Sequence, residues 1–229
     1  MKIRLISHSK PSSELVSDGL HDAQELVAFC ARVSNPSNQM SLDTSTKLIK
    51  YLINNQHWSP LEMVNACLEI ETTRDIARQI LRHRSFSFQE FSQRYADPTK
   101  EMEDAFELRE CRLQDTTNRQ NSIAIDTTIQ EHRVLAIEWE RCQRRVLLWV
   151  KQEYNWAIDH GIAKEQARAL LPEGLTKSRL YMNGTLRSWI HYIQLRSANG
   201  TQLEHVNIAK ACAEVIAEVF PLTNQLVQQ

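Results

Sequence analysis

Arginine side chains crowd into one short part of this sequence, where they could bind an anion. Between residues 74 and 94 the chain carries five arginines against two acids, Asp75 and Glu90. The arginines are Arg74, Arg78, Arg82, Arg84 and Arg94. The formal net charge of the 229 residues is only -1, so this positive charge is local. Guanidinium groups bind carboxylates and phosphates through charge-assisted hydrogen bonds, so the region fits an anionic ligand.

The first three of these arginines have helical spacing. Thr73 is a typical N-cap residue, and Arg74, Arg78 and Arg82 follow it at i, i+4 and i+8, which predicts one basic stripe on a helix. Like charges at this spacing cost about 0.2 to 0.5 kcal/mol per pair in an isolated helix. We therefore expect counter-charges from neighbouring acids or from an anionic ligand. Taken alone, the stripe also fits a solvated, salt-bridged surface.

Side chains rich in hydrogen-bonding groups follow directly after this predicted helix. They are Ser85, Ser87, Gln89, Ser92 and Arg94. Such a cluster can hold a phosphate or a polar ring. Ser92 has no activating histidine at a readable distance, so we interpret its hydroxyl as a ligand group and not as a nucleophile.

One part of this cluster resembles a known signature. Arg82-His83-Arg84, followed after seven residues by Ser92, is similar to the signature of the flavin-dependent thymidylate synthases. Glu90 and Arg94 also stand where that family has them. A second block, from Leu186-Arg187 to Leu195-Arg196, resembles the C-terminal segment of the family, so the resemblance covers most of the chain.

The resemblance implies a fold, an activity and an assembly. The fold would be α+β, a helix-rich single domain over residues 1–229 with a small antiparallel sheet. The activity would be reductive methylation of dUMP to dTMP by an FAD-dependent methyltransferase. The carbon would come from 5,10-methylenetetrahydrofolate, which leaves as tetrahydrofolate, and the hydride from FAD reduced by NADPH. Family members are homotetramers whose sites are shared between subunits.

The resemblance also assigns site residues. Arg196 would be catalytic, because a guanidinium beside the uracil oxygens stabilises the charge that builds up when C5 becomes nucleophilic. The residues implied to bind dUMP are Gln79, Arg82, Glu90, Ser92, Arg94, Arg168 and Arg196. Those implied to bind FAD are His57, Ser59, Arg82, His83, Arg84, Glu90, Thr185, Leu186, Arg187 and His191. The sequence departs from the family pattern at three positions. Gln89 stands where members often have Asn, His191 where some have Asn, and Gly200 where some have His.

Composition excludes several other kinds of site. The five glycines lie far apart, so neither a G-x-G-x-x-G turn nor a phosphate-binding P-loop is present, and side chains would have to bind any nucleotide. The five cysteines form no C-x-x-C pair, which argues against a zinc site and a disulfide framework. We assign no metal and no cysteine nucleophile. Reduced thiols and the lack of a signal-like or membrane-length apolar run lead us to expect a cytoplasmic protein.

Local patterns predict the elements that would position these residues. We predict strands at 2–7, 63–72 and 175–183. We predict helices that begin near Asp22, near Ser41 or Asp43, after Thr73, near Thr128, at Lys164, after Thr185 and near Thr201. The stretch 98–126 is polar, with possible strand pieces at 106–108 and 111–113, and we assign it no chemistry.

The helix that begins near Thr128 is unusually long. Its apolar residues recur at steps of four and three: Leu135, Trp139, Cys142, Val146 and Trp149. The pattern predicts about thirty residues, or about 45 Å at 1.5 Å per residue, ending near His160-Gly161. Such a helix either packs in the core along its length or meets a partner subunit, and the sequence leaves both open.

Two other functions are compatible with the residues alone. Arg82, Arg84 and Arg94 alternate with Phe86, Phe88 and Phe91, so they could pair with phosphates and stack on bases as in a single-stranded nucleic-acid binder. Such modules are usually basic overall, whereas this chain has a net charge of -1. A helical oligomerisation scaffold without a site is the third interpretation, and it leaves the arginine cluster unexplained.

Overall fold

A four-stranded antiparallel sheet with helices packed on it forms the centre of the computed structural model, which describes residues 1–226. The strands are β1 (Lys2–His8), β2 (Asn65–Thr73), β3 (Ser87–Glu90), β4 (Arg112–Gln114), β5 (Ser122–Ala124) and β6 (Lys177–Thr185). The helices are α1 (Ser13–Ser17), α2 (Ala23–Ala31), α3 (Ser45–Asn54), α4 (Arg74–Ile80), α5 (Pro98–Glu101), α6 (Gln130–Asp159), α7 (Lys164–Ala167), α8 (Leu186–Ser197) and α9 (Leu203–Ala217). The α+β prediction is confirmed. The single domain predicted over residues 1–229 stays a prediction, and residues 227–229 lie outside the described residues.

The main sheet has the order β1-β2-β6-β3, with antiparallel pairing throughout. Strand β2 pairs with β6 from Asn65↔Thr185 to Thr73↔Lys177. Strand β3 lies at the edge and pairs with β6 from Ser87↔Asn183 to Glu90↔Leu180. The three predicted strands are confirmed with ends shifted by a few residues. The arginine-rich segment therefore runs from the end of α4 onto the edge of the sheet.

The hydrophobic core lies between this sheet and helices α8 and α9. Trp189, Ile193, Ile208 and Cys212 are fully or almost fully buried there. The indole Nε1 of Trp189 donates to the main-chain oxygen of Ala66 in β2 over 2.9 Å. Because a buried indole N–H without a partner would be costly, this bond fixes α8 against the sheet.

Helix starts were predicted well where one side chain decides them. Asp22 accepts from the main-chain N–H of Glu25 over 2.8 Å, and Thr185 accepts from that of Ser188 over 3.2 Å. The cap predicted at Thr128 is wrong, because its hydroxyl donates to Asp126 and the helix begins after Ile129. The cap predicted at Thr201 is also displaced, to Gln202. The helix predicted from Ser41 or Asp43 begins with a short 3-10 turn, and α3 itself starts at Ser45.

Helix α4 is shorter than the spacing of its arginines predicts. It ends at Ile80, so Arg74 and Arg78 lie on it but Arg82 does not, and the three-arginine stripe is wrong. The chain turns after the helix, where the N–H of His83 donates to the oxygen of Ile80 over 3.0 Å. This turn lets Phe86 bury its ring in the core, which the isolated helix pattern could not reveal.

The long helix α6 has the predicted length of 30 residues, and His160 and Gly161 follow it as expected. The face that it buries differs from the predicted stripe, since the buried residues are Gln143, Leu147, Tyr154 and Ala157. Among the stripe residues, the exposed fractions are 44% for Leu135, 42% for Trp139, 48% for Val146 and 64% for Trp149. The stripe therefore remains largely uncovered in the single chain.

The stretch 98–126 contains the short hairpin β4-β5 and the four-residue helix α5. Of the two predicted strand pieces, 111–113 overlaps β4, whereas 106–108 makes only an isolated bridge between Phe106 and Thr176. None of the helices in residues 1–226 combines the length and apolarity needed for a membrane span.

Candidate active site

The segment Arg82-His83-Arg84 meets the C-terminal end of α8. The Nε atom of Arg196 donates to Nε2 of His83 over 2.9 Å. The His83 ring also packs edge-on against the buried ring of Tyr192, with centroids 4.9 Å apart. The structure therefore joins the two blocks of sequence that carried the resemblance, although 113 residues separate them in the chain.

The His83 imidazole is neutral. Burial first, and then the positive charges of Arg196 and Arg82, lower the pKa of His83 to about 4. A neutral ring has one N–H, and since Nε2 accepts from the guanidinium, that N–H is on Nδ1. The Arg196 guanidinium therefore has a neutral hydrogen-bond acceptor. At this contact no carboxylate neutralises its positive charge.

Acidic partners balance only some of the clustered arginines. Arg74 is buried and lies 3.7 Å from Glu90, and Arg78 lies 3.2 Å from Glu173. Arg82 and Arg84 are exposed, and none of the ion pairs among residues 1–226 includes them. The expected counter-charges are therefore present for the helical arginines, whereas the two that flank His83 remain available to an anion.

A second group of predicted dUMP residues lies around the loop after β3. Glu90 accepts from the hydroxyl of Ser178 over 2.8 Å. The Nε atom of Arg94 lies 3.5 Å from Glu165, and the Nε atom of Arg168 donates to the main-chain oxygen of Glu165 over 3.3 Å. A cleft of about 380 Å³ lies beside them. Its lining includes Arg74, Arg78, Gln93 and Arg168.

These two groups of residues are not directly bonded to one another. Gln79, Arg82, His83 and Arg196 belong to the first, which we call the α8 group. Glu90, Ser92, Arg94 and Arg168 form the second, which we call the β3 group. Among the described residues, no side-chain hydrogen bond or ion pair connects a member of one group with a member of the other.

Six of the predicted FAD residues lie at the start of α8 and on the loop that faces it: His57, Ser59, Thr185, Leu186, Arg187 and His191. Arg187 pairs with Glu62 over 2.7 Å, and His191 packs edge-on against Trp58 at 4.4 Å. His57 and Ser59 are exposed on the same loop. These residues line one side of α8, where a ligand can reach them.

Two residues in this region behave differently from the sequence interpretation. The side chain of Leu186 lies in the core, so any contact that it makes with a ligand is through its main chain. Glu62 was not predicted. Hydrogen bonds from Thr185 and then from Arg187 hold its pKa below the ordinary value, so an ionised carboxylate stands beside the start of α8. Its position three residues after Ser59, in a polar loop, was the only local signal.

A line of polar side chains that the sequence patterns did not predict lies behind Gln79. The Nε2 atom of Gln79 donates to Oε1 of Gln202 over 2.9 Å, and Nε2 of Gln202 donates to Glu204 over 2.9 Å. Arg112 and Arg109 both pair with Glu204. Arg109 also pairs with Asp75 over 2.6 Å, so a stretch to which we assigned no chemistry is anchored beside a predicted dUMP residue.

This chain is similar to known proteins over nearly its whole length. Residues 14–222 match the family model described as thymidylate synthase complementing protein. The chain is 45% identical over 221 residues to a probable flavin-dependent thymidylate synthase from Paramecium bursaria Chlorella virus 1, covering 96% of each. It is also 45% identical over 225 residues to a flavin-dependent thymidylate synthase from Synechocystis sp., again covering 96% of each.

The fold agrees with a solved structure as well. The crystal structure of a UMP/dUMP methylase, PolB from Streptomyces cacaoi bound with 5-Br UMP, superposes with a TM-score of 0.76. The two sequences are 25% identical, and the match covers 99% of this chain and 93% of that chain. The helix-rich architecture with its small sheet is therefore shared.

Proposed function

This chain belongs to the family of flavin-dependent thymidylate synthases, and on that premise we propose that it converts dUMP to dTMP by reductive methylation with FAD as cofactor. The observation that carries the proposal is the bond between Arg196 and a neutral His83, flanked by Arg82 and Arg84, which form no ion pair with the described residues. Arg196 can then donate to a polar ring, and Arg82 and Arg84 can bind anionic groups.

Arg196 is the proposed catalytic residue. Its Nε is held by His83, and no hydrogen bond within residues 1–223 occupies the terminal amino groups of the guanidinium, so these can face the uracil oxygens. Charge that accumulates on those oxygens makes C5 nucleophilic, and a fixed guanidinium stabilises it. The neutral imidazole adds no positive charge of its own, so His83 orients Arg196 without opposing it.

The remaining nucleotide contacts fall on both groups of residues. We assign dUMP to Gln79, Arg82 and Arg196 of the α8 group and to Glu90, Ser92, Arg94 and Arg168 of the β3 group. Arginines are suited to a phosphate that is dianionic or nearly so. No side-chain hydrogen bond or ion pair among the described residues joins the two groups, and we propose that a site is completed by residues from different subunits of a homotetramer.

The exposed stripe of α6 supports the same assembly. Leu135, Val146 and Trp149 are each more than two-fifths exposed, and together they form an apolar face along the helix. Contiguous apolar surface of this kind marks interfaces between proteins. A subunit contact along α6 would cover it.

The residues assigned to FAD fit it by their donor chemistry. Arg82, Arg84 and Arg187 offer guanidinium groups to a diphosphate, and Ser59, Thr185 and His191 offer smaller polar groups. When bound, FAD supplies the hydride that reduces the transferred carbon, after its own reduction by NADPH. The carbon donor is 5,10-methylenetetrahydrofolate, which leaves as tetrahydrofolate. The chain itself binds, orients and polarises.

The state of three of the five thiols supports a reaction without a cysteine nucleophile. Burial raises the pKa of Cys212, which is fully buried, and it also raises the pKa values of Cys30 and Cys67. A thiolate is the nucleophilic form, so these groups are poorly suited to attack C6 of the pyrimidine.

The structure weakens the nucleic-acid alternative. Phe86, one of the three rings proposed to stack on bases, is buried and packs edge-on against Trp189 at 4.8 Å. Phe88 and Phe91 are only partly exposed. A single-stranded nucleic-acid groove needs accessible aromatic faces, so this surface is better suited to a small nucleotide.

Absorbance and product formation test the proposed function together. The purified protein should show a flavin spectrum, either directly or after FAD and dUMP are added. With 5,10-methylenetetrahydrofolate and NADPH it should then form dTMP. Absence of flavin binding under both conditions would refute the proposal. Retention on single-stranded DNA that weakens with salt, without bound flavin, would favour the nucleic-acid binder.

A further inference from the structure

The amide of Gln79 is held on both sides by other side chains. Its Nε2 atom lies 2.9 Å from Oε1 of Gln202, and its Oε1 atom lies 3.3 Å from Nδ1 of His205. An amide can present its oxygen and nitrogen in either order with almost the same shape. The order therefore depends on whether each neighbour donates or accepts.

Glu204 decides the order at one end of this line. Burial by itself would raise the pKa of Glu204, but hydrogen bonds from its own main-chain N–H and from Gln202, together with Arg109 and Arg112, hold that pKa below its ordinary value. An ionised carboxylate only accepts hydrogen bonds. Gln202 must therefore turn its NH₂ group toward Glu204, and its oxygen is then left for Gln79.

The same constraint passes to the next two side chains. Since Gln202 offers an oxygen, Gln79 must donate from Nε2, and its own Oε1 must accept from His205. His205 therefore carries its proton on Nδ1, and its Nε2 accepts from the hydroxyl of Tyr192, 3.1 Å away.

Only one tautomer of His205 can form hydrogen bonds with both Gln79 and Tyr192. The ring is fully buried, and burial, followed by the charges of Arg196 and His83, lowers the pKa of His205 to about 3. It is therefore neutral at working pH, with a single N–H to place. Only the Nδ1–H form meets an acceptor at Gln79 and a donor at Tyr192.

We propose that Glu204 is a positioning residue: through Gln202 it fixes the Gln79 amide in one orientation for the pyrimidine nucleotide. This rests on the proposed function, because Gln79 is assigned to dUMP there. In that orientation Gln79 keeps a second N–H and a second lone pair of Oε1 for the ligand. Folding then orders the Gln79 amide before the nucleotide binds. Nucleotide binding does not have to order it, which favours affinity.

The substitution Glu204→Gln tests the proposal on the FAD-loaded protein. It keeps the size of the side chain but can both donate and accept, so both amide orders become possible. We expect the dUMP dissociation constant and KM to rise about threefold to tenfold, the effect of one neutral hydrogen bond, with kcat changed much less. In ¹⁵N spectra of the histidine rings, the wild type should show His205 as the Nδ1–H form and the variant a mixture of both forms.

Glu71→Gln is the matched control, because Glu71 is also partly buried and paired with an arginine, Arg179. It should leave dUMP affinity and the His205 spectrum unchanged. If Glu204→Gln does not fold, Gln202→Met removes the hydrogen bonds between Gln79 and Glu204 while Glu204 keeps its pairs with Arg109 and Arg112. For this variant we expect the same rise in the dUMP dissociation constant and the same mixture of His205 forms.

An unchanged dUMP affinity, or weaker affinity with a pure Nδ1–H signal, would overturn the positioning role. The proposed function has a separate test, because a wild-type protein that forms no dTMP would refute it. In that case the spectrum of His205 would still report on the line of hydrogen bonds.

Discussion

Arg196 and His83, two basic side chains, are bonded to one another: the guanidinium Nε donates to the imidazole Nε2 over 2.9 Å. The contact is stable only while the imidazole is neutral, because a protonated ring has no acceptor and would repel the guanidinium. It ties the end of α8 to the turn after α4. The protonation state of His83 is thus linked to the integrity of the proposed site.

Stability should therefore depend on pH in the acidic range. His83 and His205 have pKa values lowered to about 4 and about 3 in the folded protein, against an ordinary value of 6.5. Between these values the unfolded chain binds more protons, so the contribution of each histidine is complete above pH 6.5 and is lost as pH falls toward the folded value. We expect the free energy of unfolding in urea to decrease steadily from pH 7 to pH 4.5.

The variant His83→Gln should show a shallower decrease over the same range, since it removes one of the two groups. If the wild type and this variant have identical pH profiles, the assignment of a buried neutral His83 is incorrect.

Removal of the Arg196 guanidinium should abolish most of the chemistry and little else. For Arg196→Ala we expect kcat for dTMP formation to fall by about a hundredfold to a thousandfold, as when one donor to a developing oxyanion is lost. Flavin absorbance and the thermal midpoint should be nearly unchanged. Arg196→Lys should recover little activity, because an ammonium does not reproduce the planar fork.

Arg119→Ala, in the exposed loop between β4 and β5, serves as the control and should keep wild-type activity. Full activity in Arg196→Ala would refute the polarising role.

A methyl group added at Gly184 should destabilise the fold. A Cβ built there meets Cδ1 of Phe86 at 2.4 Å and Cε1 at 2.7 Å, and this ring is held between β6 and Trp189. Overpacking of a filled core costs about 1 to 3 kcal/mol, so Gly184→Ala should lower the free energy of unfolding in urea by about that amount. Gly174→Ala is the matched control, because a Cβ at that position meets nothing within 4 Å. Equal stability of the two variants would contradict the close packing of Phe86 on β6.

The exposed face of α6 should be necessary for assembly. Trp149 lies on this face and is 64% exposed in the single chain. A buried carboxylate at a subunit contact is costly, so Trp149→Glu should lower the molar mass measured by light scattering. It should also reduce dTMP formation, because a shared site would be incomplete. Arg144→Glu changes an exposed position on another side of the same helix and should assemble normally. A wild-type mass for Trp149→Glu would argue against this contact.

The sequence by itself determined features that depend on neighbours along the chain. The caps at Asp22 and Thr185 are decided by one side-chain oxygen and an N–H three residues later, and the length of α6 by a sustained period. The signature Arg82-His83-Arg84 with Ser92 was readable for the same reason, since its spacing is local, and it identified the family. Short-range hydrogen bonds and periodicity depend least on tertiary context, although a competing acceptor, Asp126, overrides the cap predicted at Thr128.

Only the tertiary structure decided which distant groups meet. It placed Arg82 beyond the end of α4, exposed the predicted stripe of α6, and bonded Gln79 to Gln202 but Glu90 to Ser178. It also brought Arg109 and Arg112, from a stretch without a readable pattern, to Glu204. Each of these outcomes rests on contacts between residues far apart in the chain. Their energies depend on burial and on partner geometry, which no local spacing encodes.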